Sequence, residues 1–244
     1  MTPHGRAKAP VSRRDRPAKP ALSRQGIIDA ALVIMRDEGL GKVTMRRIAA
    51  ALDTGAASLY VYVRNTEDLH TQILDSLLAP VTEDLPADGP WRDRLKALLT
   101  AYGRVLTSHP EIARMALSTQ PSGPNYLALA NAVLGLLVEG GVSDRVAAWG
   151  VDLLMLHPTA VAVEQSGRTS SPRRGDDMAQ LATRIADADA TRFPHVARIG
   201  ADLLSGDGES RTDWAFDVLI DGLLGSRQPP RQVVPSGEHP PAVS

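Results

Sequence analysis

Six histidines, 28 aspartates and glutamates and no cysteine are the side chains from which catalysis or metal binding would have to be assembled. They are not arranged for either. The chain has no nucleophile elbow, no HExxH pair, no phosphate-cradling glycine loop and no histidine–carboxylate cluster at ligand spacing, so an enzyme is not expected. Without thiols there is neither a disulfide framework nor a thiolate metal site. The residues whose types and spacing do point to chemistry lie between Val43 and Leu69, in VTMRRIAAALDTGAASLYVYVRNTEDL. Hydroxyls and guanidinium groups recur there within a short span: Thr44, Arg46, Arg47, Thr54, Ser58, Tyr60, Tyr62, Arg64 and Thr66. Such groups hydrogen-bond to phosphate oxygens and base edges, and that chemistry is binding rather than turnover.

Two short helices must hold them. Thr44 carries an oxygen suited to accept from the free amides of a helix start, and Met45, Ile48, Ala49 and Leu52 then repeat at helical spacing. Asp53-Thr54-Gly55 tolerates unusual backbone angles and breaks the helix, after which Ala56, Leu59, Tyr60 and Val63 resume the period. Two helices joined by a tight, glycine-bearing turn read as a helix-turn-helix, whose second helix enters the major groove of DNA.

The run TMRRIAAAL, then DTGAASLYVYVRN, then EDL resembles the DNA-binding domain of the tetracycline-repressor (TetR) family. That resemblance implies contacts to DNA from Thr44 and Arg46, with Arg46 the best base reader: a guanidinium grips guanine O6 and N7 with two bonds, worth ~1–3 kcal/mol of discrimination. It places Ala56, Ala57 and Ser58 at the start of the recognition helix, where two alanines offer only methyl contacts. Tyr60 and Tyr62 would set hydroxyls on phosphates, with Leu59 and Val63 as core. The family's lysine after the asparagine is here Thr66, which leaves Arg64 and the N-terminal arm to replace that phosphate contact.

Composition and charge bound the rest. The 244 residues are 43% hydrophobic but only 4% aromatic, so the core is built from Leu, Val, Ala and Ile. No apolar run approaching the ~20 residues that cross a bilayer is apparent, and the basic N-terminus lacks the apolar segment of a secretory signal. A cytoplasmic protein without membrane association is expected. The net charge is −1, yet up to His70 there are 12 lysines and arginines against 7 acidic residues, and beyond it 15 against 21. A basic end and an acidic body suit a chain that presents one end to phosphates.

In chain order, residues 1–21 form a basic arm expected to be disordered, a source of salt-sensitive phosphate contacts or simply a solvated tail. Residues 22–69 form the DNA-binding domain, whose first helix starts at Ser23 and ends at Gly39. Residues 70–225 form a helical ligand-binding and dimerisation domain, and residues 226–244 a disordered tail. Pro80 is expected to close the helix begun at Thr66, and Pro158 to kink a helix from Arg145 to about Gln165. Ser166–Gly175 reads as a polar loop, followed by helices Asp176–Ala190, Pro194–Leu204 and Ser210–Leu224. No repeat and no strand alternation appears, so the fold class is all-α.

The C-terminal body also resembles the tetracycline-repressor ligand domain, through WRDRL at 91–95, LTSHP at 106–110, ALSTQPSGP at 116–124, LLVEGGVS at 136–143, Glu164-Gln165 and WAFDVLIDGLL at 214–224. The resemblance implies a homodimer through the Arg145–Gln165 and Asp213–Leu224 helices, matched to a palindromic operator. It also implies a two-state repressor whose small-molecule effector spoils the ~34–36 Å spacing of the two recognition helices. Tetracycline repressors hold a magnesium–drug chelate with two histidines; here those positions fall near Val81 or Thr82 and at Ala116. The expectation is therefore an apolar or aromatic ligand with no metal and no cofactor, in a cavity lined by Leu98, Tyr102, Met115, Thr119, Met155, His157 and Glu164. The alternative is a ligand-independent regulator or all-α interaction module, with Leu98, Tyr102 and Met155 packed shut.

Overall fold

A computed structural model of the chain describes residues 21–119, 121–169 and 174–229. The basic arm lies outside the described residues except for Ala21, as do residues 230–244 of the tail. Every described element is helical, and the chain divides into two compact units, Met1–Asn65 and Thr66–Ser244.

In the first unit, helix α1 spans Arg24–Glu38, and Ser23 caps it by accepting from the Gly26 amide at 3.1 Å. It buries Ile27, Ile28, Ala31, Ile34 and Met35 and stops at Gly39, whose φ of 88° suits a residue without a Cβ. After a 3-10 turn at Leu40–Lys42, α2 spans Met45–Ala51 and α3 spans Ala56–Leu59. The second helix is thus shorter than the apolar period to Val63 indicates. Beyond Leu59 the chain tightens, with the Tyr62 amide donating to Leu59 O at 2.9 Å. A four-residue helix cannot support itself, and burial of Leu59 and Val63 holds it in place.

The second unit contains α4 (Thr66–Glu83), α5 (Trp91–Ser108), α6 (Pro110–Ala116), α7 (Pro124–Glu139), α8 (Asp144–Thr169), α9 (Arg174–Ala186), α10 (Pro194–Leu203) and α11 (Gly208–Gly225). Helix α8 is the hub, packing against α5, α6, α7 and α11, while α4 packs chiefly on α7. Leu95, Leu98, Leu99, Leu106, Leu129, Val133, Leu154 and Phe216 fill the interior between them.

Three expectations are corrected. Pro80 does not close α4, which continues to Glu83: a proline so near the end costs only one internal bond, and the Asp84 amide still reaches Pro80 O at 3.1 Å. Residues 166–169 are the last residues of α8, not a loop; residues 170–173 lie outside the described residues. Helix α8 is also long and apolar enough over Asp144–Gly167, where an 18-residue window reaches a mean hydropathy of 1.5, to span a membrane by length and composition. Asp152, His157 and Pro158 interrupt that run in the sequence, and its packing on four neighbours makes it a core helix.

Candidate functional site

The first unit closes its turn with a specific device. The Asp53 amide donates to Ala50 O at 3.2 Å and the Thr54 amide to Ala49 O at 2.9 Å, the paired bonds of a Schellman ending. That motif needs a left-handed residue, and it is Asp53, at φ 50°, that supplies it. Gly55 has an ordinary φ of −80° and serves as N-cap of α3.

Thr44 accepts from the Arg47 amide at 3.2 Å, which leaves its hydroxyl proton to donate outward. Arg46 is exposed beside it, whereas Arg47 is held by Glu38 at 2.6 Å. Ala57 and Ser58 are exposed at the start of α3, with Ala56 half-buried, and Tyr60 is 55% exposed. Tyr62 departs from expectation: its hydroxyl donates to Leu22 O at 2.8 Å, so its one proton ties the entrance of α1 to the end of the turn instead of meeting a phosphate. Arg64 is exposed, and Thr66 belongs to the second unit as the first residue of α4.

Within the second unit, Tyr102, Thr119 and Met155 line one cavity of about 260 Å³. The other anticipated residues do not join them. Leu98 is core, Met115 lies just before the lining segment at Ala116–Thr119, and Glu164 is exposed beyond the cavity on α8. His157 faces α11, its ring edge-on to Phe216 at 5.6 Å, and burial lowers its pKa. On a helix, residue 157 sits about 200° from residue 155, so Met155 and His157 cannot share a face.

The lining missed from sequence includes Tyr126, Asp152 and Thr159. Asp152, Met155 or Leu156, and Thr159 follow at helical spacing on α8, so the stripe through Met155 carried the signal. At the cavity wall the Tyr102 and Thr159 hydroxyls are 2.9 Å apart, and Thr159 lies 2.8 Å from Met155 O. A carbonyl cannot donate, so the single Thr159 proton goes to Met155 O and Tyr102 is the donor to Thr159. The Tyr102 oxygen keeps a lone pair for a ligand, and burial pushes its phenol pKa up. Asp152 is the charged residue of the lining, and after desolvation its field is what raises the Tyr126 phenol. Ala116 contributes only a methyl, no histidine is among the lining residues, and Asp152 is their one carboxylate. A second cavity, of about 390 Å³, lies among α5, α8 and α11 beside Arg104, Glu209 and Asp213.

Residues 27–73 match the family model for bacterial regulatory proteins of the tetR family, and residues 84–226 that for the tetracyclin repressor-like C-terminal domain. The chain belongs to the TetR family. Among its relatives is the HTH-type transcriptional repressor DrrR1 of Streptomyces coeruleorubidus, 34% identical, with 86% of this chain and 80% of the relative covered. The crystal structure of SCO7704 from Streptomyces is 46% identical, with a TM-score of 0.71 over 88% of this chain and 100% of the other. The Streptomyces coelicolor TetR family protein ActR in complex with actinorhodin is 34% identical, with a TM-score of 0.74 over 84% and 96%. These are transcriptional regulators, and the present TetR protein shares their all-α plan.

Proposed function

We propose that this chain is a cytoplasmic, homodimeric repressor that binds a palindromic operator through α2 and α3 and is released by an aromatic small molecule. One observation carries the DNA-binding reading: the Schellman-closed turn presents Thr44, Arg46, Ser58 and Tyr60 at the surface of a unit whose Ile48, Leu59 and Val63 are buried. The dimer reading is supported by Trp149, Leu153 and Leu156 along α8 and Trp214, Val218 and Leu224 along α11, all large apolar side chains 42–67% exposed.

The effector is read from the cavity with Tyr102, Thr119 and Met155, and ActR, whose structure contains actinorhodin, supports a ligand of aromatic type. Of the apolar or aromatic ligand expected, the lining favours the aromatic kind. Hydroxyls from Tyr102, Ser118, Thr119, Tyr126 and Thr159 surround it, and Tyr102 presents an acceptor. An aromatic ligand bearing hydrogen-bond donors fits, and the Asp152 carboxylate disfavours an anionic group at its side.

The test is a gel-shift titration against DNA upstream of the chain's own gene, and against duplexes selected from random sequence, with excess nonspecific competitor. A specific shift is expected. Arg46→Ala should weaken it by ~1–3 kcal/mol if Arg46 grips a guanine. A folded dimer that selects no sequence overturns the reading.

A further inference from the structure

Helix α7 begins with a residue that cannot cap it. Gly123 is its N-cap and has no side chain, and Pro124 follows at the first helical position. The missing acceptor comes from another helix. Asp75, on α4 and only 8% exposed, accepts from the Tyr126 amide through Oδ1 at 2.9 Å and from Asn125 Nδ2 through Oδ2 at 3.2 Å. A Cβ on Gly123 would overlap this carboxylate, so Asp75 occupies the place of an N-cap side chain. Its bond partner is also a wall of the cavity: Tyr126 gives its backbone N–H to Asp75 and its side chain to the lining.

We infer that Asp75 is the positioning residue through which occupancy of the cavity is transmitted to α4. The inference rests on the effector reading of that cavity. A ligand that displaces the Tyr126 ring shifts the first turn of α7, and the peptide N–H held by Asp75 moves with it. Helix α4 must follow or release the bond, and its first residue, Thr66, continues directly from Asn65 of the DNA-binding unit. A carboxylate is suited to this role because it bonds more strongly than a neutral cap and, once buried, cannot exchange its partner for water cheaply.

The chain has no cysteine. Ser118→Cys, an exposed lining position, therefore carries a single thiol, and benzyl methanethiosulfonate attaches a benzylthio group to it as methanesulfinate leaves. Affinity for the selected duplex is measured by fluorescence anisotropy with and without benzylation, in S118C, in S118C with D75N, and in S118C with G123A, which presses a methyl onto the carboxylate from the α7 side. Benzylation is expected to weaken binding about fivefold or more in S118C and by less than about twofold in either double variant, since the coupling path is cut. Each ratio compares a variant with itself, so a uniform loss of stability does not imitate the effect. If D75N fails to fold, G123A decides. Equal weakening in all three proteins overturns the role of Asp75 and leaves the cavity reading standing. No weakening in S118C alone overturns the cavity reading and the role of Asp75 with it.

Discussion

The direction of the hydrogen bond between Tyr102 and Thr159 predicts an asymmetry between two conservative substitutions. Tyr102→Phe removes the donor, but Thr159 keeps its own bond to Met155 O at 2.8 Å and no buried proton is stranded. The loss is one neutral hydrogen bond, ~0.5–1.5 kcal/mol. Thr159→Val removes the acceptor and leaves the hydroxyl of Tyr102, only 4% exposed, with its proton unsatisfied. Stranding a buried donor costs ~1–3 kcal/mol, so Thr159→Val should be the more destabilising change although valine has the shape of threonine. Urea unfolding of both variants, followed by circular dichroism and compared at equal m-value, measures the two costs. If Tyr102→Phe costs as much as Thr159→Val, the proton of Tyr102 points into the cavity instead, and the effector would have to accept from it.

Leu59→Ala should cost ~2–5 kcal/mol, because Leu59 is the buried anchor of a four-residue helix; hydrogen exchange should rise throughout α1–α3 while α5 and α8 stay protected, and unchanged exchange would contradict the anchoring role. Trp149→Glu combined with Trp214→Glu places charge on the exposed apolar faces of α8 and α11 and should yield a monomer in sedimentation equilibrium; a dimer that persists would move the proposed interface elsewhere. Burial lowers the pKa of His70, His109 and His157 below the ordinary 6.5, so the unfolded chain binds more protons. Stability should therefore hold above the unfolded value and decline as pH falls from it through the depressed folded values, which urea midpoints at neutral and mildly acidic pH would show; a rise in midpoint on acidification would reverse the sign.

Much of the DNA-binding unit was legible because one stripe of apolar residues decides it. Met45, Ile48, Ala49, Leu59 and Val63 recur at helical spacing and are all buried. The bond from Tyr62 to Leu22, 40 residues apart, was not legible, because no local period reports a hydroxyl that crosses the unit. The turn was legible as a turn, yet glycine is only the commonest left-handed residue. The register of the Schellman bonds assigned that role to Asp53. In the body, helices were legible and their ends were not: a proline usually marks an end, while Pro80 lies inside α4. The cavity was the least legible part. Its lining was carried over by position from relatives, and His157 and Glu164 share neither the helix face nor the depth of Met155.

Gly103 and Pro158 line the second cavity, and their sequence neighbours Tyr102 and Thr159 stand at the wall of the first. By propensity neither glycine nor proline belongs inside a helix, at ~1 and ~3 kcal/mol less favourable than alanine. Each lies in the interior of one nonetheless, on α5 and α8, and they face each other: a Cβ on Gly103 would sit 3.2 Å from the Cβ of Pro158. A side chain at position 103 would require Pro158 to give way by a few tenths of an ångström, so glycine allows the closer approach. Their immediate neighbours are Tyr102 and Thr159, whose hydroxyls meet at 2.9 Å. The close approach of α5 and α8 therefore brings the two hydroxyls within hydrogen-bonding distance, and two locally unfavourable residues are tolerated where the helices meet.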